Sequence, residues 1–119
     1  MIKFIYKICG TTEWQRFKKT SFFYGTKKDL LDGYIHFSKK NQVKENLAKN
    51  YFKKDKLILL KISTSELKNL VWENSQSGIA FPHVYSYLTT KDVICIYKIS
   101  IKKNGTYLFL SNSSNTNNF

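Results

Sequence analysis

The sequence predicts an α+β domain with a mixed, mostly antiparallel split sheet of about six strands and one main helix. Three observations carry that reading. Short β-branched and aromatic runs recur along the 119 residues, a single long stretch has helical periodicity, and the strongest local signal is an Asn-Gly hairpin. The chain is long enough to bury roughly two thirds of its unfolded surface in one core. One domain is expected over residues 1–110, with residues 111–119 forming a flexible polar tail.

The elements follow in order. Residues 2–9 alternate as a first strand, and Thr11 or Thr12 caps a short helix through Trp14 and Phe17. Residues 21–32 form a loop with one helical turn, ending at Gly33. Tyr34 to Ser38 is a short strand. Ser38 then caps the main helix, from about 39 to 53, in which Val43, Leu47 and Tyr51 share one face. Leu57 to Ile62 is a buried strand, Thr64 or Ser65 opens one helical turn, and Val71 to Glu73 is another strand. Ala80 to Leu88 is extended, with Pro82 pointing to an edge strand or loop. In the hairpin, a type I′ turn at Asn104-Gly105 sets Lys103 against Thr106, Ile101 against Leu108 and Ile99 against Leu110.

Charge and cysteine usage bound the function. Twenty basic residues against eight acidic ones leave a net charge of +12, which attracts anions. Residues 1–60 hold 13 Lys and one Arg against five acids, and residues 61–119 hold six Lys against three. The lysines come in isolated pairs and Arg16 is the lone arginine. Because base reading leans on the bidentate guanidinium, nucleic acid is disfavoured and compositional drift preferred. No apolar run approaches the roughly 20 residues of a membrane span. Cys9 and Cys95 form no Cys-x-x-Cys pair, and the N-terminus lacks a signal-peptide pattern, so a cytoplasmic location is expected.

Polar groups inside extended segments nominate a site. On a strand Tyr34, His36 and Ser38 share a face, at a junction with a helix N-terminus that favours anions. Glu73 follows Trp72 at a strand end, and His83 alternates with Tyr85 and Tyr87. The bland alternative is that each histidine bonds a backbone carbonyl and each tyrosine packs as an aromatic. Metal is not expected, since two His and one Glu match no compact ligand spacing.

These segments also resemble a known family. Tyr6 to Cys9, Trp14, Gly25, Asp29-Leu30, Asp32-Gly33-Tyr34-Ile35-His36-Phe37-Ser38, Gln42-Val43, Leu57 to Leu60, Trp72-Glu73 and Phe81-Pro82-His83-Val84-Tyr85 resemble, in that order, the bacterial domain-of-unknown-function family 952 (DUF952). That family is similar in fold to ADP-ribosyltransferases, whose split sheet holds NAD in a cleft. The resemblance implies that Glu73 and His36 act catalytically, on a ribose whose charge Glu73 would support. It implies that Tyr34, Ser38, His83 and Tyr85 bind substrate, with Tyr85 packing the nicotinamide. No certain cofactor follows, NAD being a candidate substrate. An enzyme of this kind would be a ribosyl or phosphate transferase acting on an anionic, nucleotide-like molecule. The alternative is a non-catalytic module binding RNA or another polyanion through its lysine-rich surface.

Overall fold

A computed structural model describes residues 2–111 and Phe119. The chain runs β1 (Phe4–Gly10), α1 (Thr11–Thr20), β2 (Phe22–Phe23), α2 (Lys27–Asp32), β3 (Ile35–His36), a 3-10 turn (Lys40–Gln42) and α3 (Val43–Asn50). It continues β4 (Leu57–Ser63), β5 (Leu70–Asn74), β6 (Ala80–Val84), β7 (Leu88–Thr89), a second 3-10 turn (Thr90–Asp92), β8 (Val93–Ile101) and β9 (Tyr107–Ser111). The α+β class and the antiparallel pairing are as expected. The described strands form three sheets, β1-β4-β8-β9, β2-β7 and β3-β6-β5, in place of one sheet of about six strands. The strands not expected as separate elements include β2 and β7, each two residues long and so too short to show a period, whereas β3 falls within the expected Tyr34 to Ser38 strand.

The four-stranded sheet carries a core on each face. Ile5 and Cys9 of β1 and Ile58, Leu60 and Ile62 of β4 face Trp14 and Phe17 of α1. Tyr6, Ile8, Leu57 and Leu59 alternate to the other face and pack on Val43 and Leu47 of α3. A strand covered on both sides reads as an unbroken apolar run, which is why Leu57 to Leu60 shows no alternation. Cys9 behaves as a small buried hydrophobe, burial pushing its thiol up to about 12.

Several boundaries differ from the sequence reading. The first helix is capped at Gly10, whose N–H donates to Glu13 Oε1 at 2.7 Å, so Thr11 is already helical. The main helix is shorter than 39–53 because residues 40–42 make a 3-10 turn capped at Lys39, whose N–H donates to Gln42 Oε1 at 2.9 Å, so the α-helix begins at Val43 and ends at Asn50. Ser38 instead bonds Tyr6 through its N–H and C=O, both at 2.8 Å. The expected helical turn after Thr64 is a single hydrogen-bonded turn, Leu67 N–H to Thr64 O at 3.3 Å.

Pro82 lies on the central strand of its sheet, not on an edge. Its carbonyl accepts the Phe37 N–H at 3.0 Å, toward β3. In an antiparallel strand a residue's N–H and C=O point the same way, so the missing donor faces the end of a two-residue ladder and the β5 pairing is spared.

The hairpin is shifted by one residue. Ile101 pairs with Tyr107 and Ile99 with Phe109, so Leu108 and Leu110 lie opposite Ser100 and Lys98. The loop has three residues, closed by Lys102 N–H to Thr106 O and Gly105 N–H to Lys102 O. Gly105 takes φ 86° while Asn104 stays at negative φ, so the turn is type I with a glycine bulge, not I′. The slip exchanges faces: Ile99 and Phe109 are buried, while Leu110 is exposed. Ser111 closes β9, and Phe119 packs edge-on against Tyr6 at 5.5 Å. The rest of the expected flexible tail, residues 112–118, lies outside the described residues.

Candidate functional site

The small sheet places the site. In β3 and β6, His36 lies directly opposite His83, and in β5 Glu73 lies opposite Phe81, one diagonal step from His83. The pleat sends Ile35, Pro82 and Val84 into the core and leaves His36, His83 and Glu73 on the other face. After His36 the chain leaves this sheet and bonds the free edge of β1 through the Tyr6–Ser38 bridge. A cleft of about 370 Å³ opens beside that crossing, between the small sheet, β1, α2 and α3.

Each histidine is oriented by a carboxylate at Nδ1. His36 Nδ1 is 2.6 Å from Asp29 Oδ1, and His83 Nδ1 is 2.7 Å from Glu73 Oε1. The two rings meet at 5.3 Å between centroids. Tyr34 covers both, stacked on His83 at 4.2 Å and tilted on His36 at 4.6 Å. His36 Nε2 also lies 3.2 Å from Asp32 Oδ2. A ring protonated on both nitrogens serves both carboxylates, whereas one protonated at Nδ1 alone serves Asp29.

Glu73 is clamped through one oxygen. Tyr85 Oη donates to Oε1 at 2.6 Å beside the His83 contact. The Tyr85 and His83 hydrogen bonds lower the Glu73 carboxyl, and the same Glu73 bond raises the Tyr85 phenol to about 12. At neutral pH this is a carboxylate held by a phenol that keeps its proton. Glu73 lines the cleft, and its Oε2 has no hydrogen-bond partner among the described residues.

Beneath His36 lies a buried ion pair that the sequence reading missed. Lys7 Nζ sits 2.7 Å from Asp29 Oδ2 and donates to His36 O at 2.8 Å. Both side chains are almost wholly buried. Asp29 also accepts the backbone N–H groups of Thr26 at 2.8 Å and His36 at 3.1 Å. Burial alone would raise the Asp29 carboxyl, but the His36 imidazole, the Lys7 ammonium and the Thr26 N–H outweigh it and hold it well below the usual carboxylate range. Burial presses Lys7 down, and the Asp29 charge opposes that.

Two signals could have found this pair. Lys7 shares a strand face with Ile5 and Cys9, and a lysine on an apolar face requires a partner. Thr26-Lys27-Lys28-Asp29 has the spacing of a capping box, and Thr26 Oγ1 does accept the Asp29 N–H at 3.2 Å.

Of the six nominated residues, Tyr34, His36, Glu73 and His83 line the cleft together. Tyr85 joins them at the rim, with its ring 5.1 Å from Tyr34. Ser38 does not line the cleft. It is buried, and its Oγ accepts from Asn46 Nδ2 at 3.0 Å because the chain has already crossed to β1. The amide that reaches the cleft in its place is Asn46, with Lys49 and Asn50 one turn further along α3. Among the described residues no group of three or more His, Cys, Asp or Glu is placed to hold a metal, and no helix is long and apolar enough to cross a membrane.

Comparisons with known proteins agree with this architecture. The crystal structure of protein CC0527 from Caulobacter crescentus, a structural genomics target, is similar with a TM-score of 0.81 at 34% identity, over 87% of this chain and 92% of that one. The solution NMR structure of CC0527 gives 0.77 at 34%, over 87% and 90%. No curated protein sequence matches. A family model described as "Protein of unknown function (DUF952)" matches residues 8–96, which include both histidine pairs. By that match and the CC0527 likeness, the chain belongs to the DUF952 family.

Proposed function

We propose that the cleft binds a nucleotide of the NAD or ADP-ribose class and that, with NAD, the nicotinamide–ribose bond breaks, nicotinamide leaves, and the ADP-ribosyl group passes to water or another hydroxyl nucleophile, as the resemblance to ADP-ribosyltransferases implies. The observation that carries this reading is Glu73: ionised, fixed through Oε1 by His83 and Tyr85, with Oε2 unpartnered among the described residues on a 370 Å³ cleft. Breaking an N-glycosidic bond leaves positive charge on the ribose. A pre-oriented carboxylate stabilises that charge without having to reorganise during the reaction.

In this reading His36 bonds a ribose hydroxyl through Nε2 in place of Asp32, Tyr85 packs the planar leaving group with Tyr34 beside it, and Lys49 faces the phosphates. Asn46 takes the polar role once assigned to Ser38. The facing imidazoles favour a second reading, in which His36 and His83 act as an acid–base pair in phosphate transfer to or from the same ligand.

Thermal-shift and calorimetric titrations with ADP-ribose and NAD test binding, and nicotinamide or phosphate release tests turnover. ADP-ribose is expected to stabilise the wild type and not His36→Ala. Glu73→Gln should keep ADP-ribose binding and lose nicotinamide release by about 100-fold or more. Phosphate release without nicotinamide release selects the second reading. No stabilisation by any nucleotide at millimolar concentration refutes both.

A further inference from the structure

A second concave surface shares only Tyr6 with the histidine cleft. It is a groove of about 750 Å³ running from the N-terminal end of β1 to the start of α3. Its floor is apolar and aromatic, including Phe4, Phe109 and Phe119, and four lysines surround it: Lys3, Lys39, Lys40 and Lys44.

None of the eight acidic residues lines this groove. Among the described residues none of the four ammonium groups has a carboxylate within 4 Å; the ion pairs lie at Lys7, Lys28, His36 and His83. Residues 112–118, Asn-Ser-Ser-Asn-Thr-Asn-Asn, bring no acidic side chain either. Of the four, Lys40 has its Nζ 6.0 Å from the Phe119 ring centroid. The Phe4 ring, 36% exposed, has the Nζ of Lys61, from outside the groove, 4.3 Å from its centroid.

Lysines that accumulate by compositional drift spread over convex, solvated surface. Here four lysines with no carboxylate within 4 Å line one concave surface, on which Phe4 and Phe119 are the partly exposed rings above the buried Tyr6 and Phe109. Ammonium groups beside accessible rings are the arrangement that pairs phosphates with cations and bases with aromatics. The groove also lacks arginine, so it has no planar fork to read base edges. We propose that this groove binds single-stranded nucleic acid without sequence preference, independently of the histidine cleft.

The test is fluorescence anisotropy with a labelled ten-nucleotide oligo-dT strand, on the full chain, from 50 to 300 mM salt. Four phosphate contacts predict a log–log salt slope of about −2.8, and each Lys→Gln change at 3, 39, 40 or 44 should flatten it by roughly 0.7. Phe4→Ala should weaken binding about fivefold or more while leaving the slope unchanged, since stacking releases no counterions. His83→Ala should bind like the wild type. Loss of binding in His83→Ala would place the strand in the cleft and overturn the proposal. So would absence of binding at 50 mM salt, preference for anionic phospholipid vesicles, or equal affinity for heparin with no effect of Phe4→Ala.

Discussion

Lys7 carries its charge into the interior because Asp29 meets it there, and the pair in turn fixes His36. The ammonium bonds the His36 carbonyl while the carboxylate takes both the His36 N–H and its Nδ1. Removing one partner strands the other. Lys7→Met should therefore destabilise the fold by about 3 kcal/mol, read as a lower urea midpoint, because an uncompensated buried carboxylate costs more than the lost attraction. Asp29 titrates below its unfolded value, near 3.9, so its stabilisation is fully present above about pH 4 and is lost as pH falls through the folded value. Urea melts between pH 2 and 7 should show a wild-type advantage over Asp29→Asn that is constant at the upper end and shrinks below pH 4. An advantage that grew toward pH 2 would contradict the depressed Asp29 carboxyl.

At the level of elements, the cap of α2 is part of the site. Thr26 and Asp29 close a reciprocal box, and Gly25, at φ 122°, lets the chain pass close to Asp29. A Cβ on Gly25 would stand 2.6 Å from Asp29 Cβ, so Gly25→Ala combines backbone strain with a collision against the residue that orients His36. Gly105→Ala meets nothing within 4 Å and carries backbone strain alone, roughly 1–2 kcal/mol. Thermal melts should rank Gly25→Ala well below Gly105→Ala, and only the former should displace the His36 ring resonances in NMR spectra. The hairpin teaches the same lesson about local geometry. Asn-Gly marks the turn correctly, but whether the bend uses two residues or three depends on which faces of β8 and β9 have a core to bury. Tyr97, Ile99 and Phe109 do, against α3.

Over the whole molecule, two cores share one sheet. β4 contributes Leu60 to the α1 side and Leu59 to the α3 side, so neither half can loosen without disturbing the other. Leu59→Ala and Leu60→Ala, both fully buried, should each cost about 2–5 kcal/mol. In either variant Trp fluorescence, with Trp14 in the α1-side core, and far-UV circular dichroism should follow one coincident denaturation curve. Separate transitions would mean that the faces unfold independently.

The polar residues that matter were legible to different degrees, for physical reasons. Tyr34, His36, Glu73, His83 and Tyr85 stood out because each interrupts or ends an extended segment, and strand alternation places their side chains on the same side of the small sheet. Ser38 was misplaced by the same alternation, because the strand ends at His36 and the next residues pair with β1. Lys7 is one of nineteen lysines, and although its place on the apolar face of β1 with Ile5 and Cys9 marks it as needing a partner, nothing local says which acid meets it.

What the sequence by itself determined was local: the α+β class, the apolar β4, the helical face of Val43, Leu47 and Tyr51, the hairpin's location, and which residue types interrupt the strands. Those follow from periodicity and backbone preference, which act over a few residues. The tertiary structure alone decided the three-sheet division, the central place of Pro82, the hairpin register, and the union of Lys7 with Asp29 beneath His36. Each depends on which distant segment supplies the partner for a hydrogen bond or a charge: local pattern marks Lys7 and Asp29 one at a time, and only the tertiary structure joins them across 22 residues.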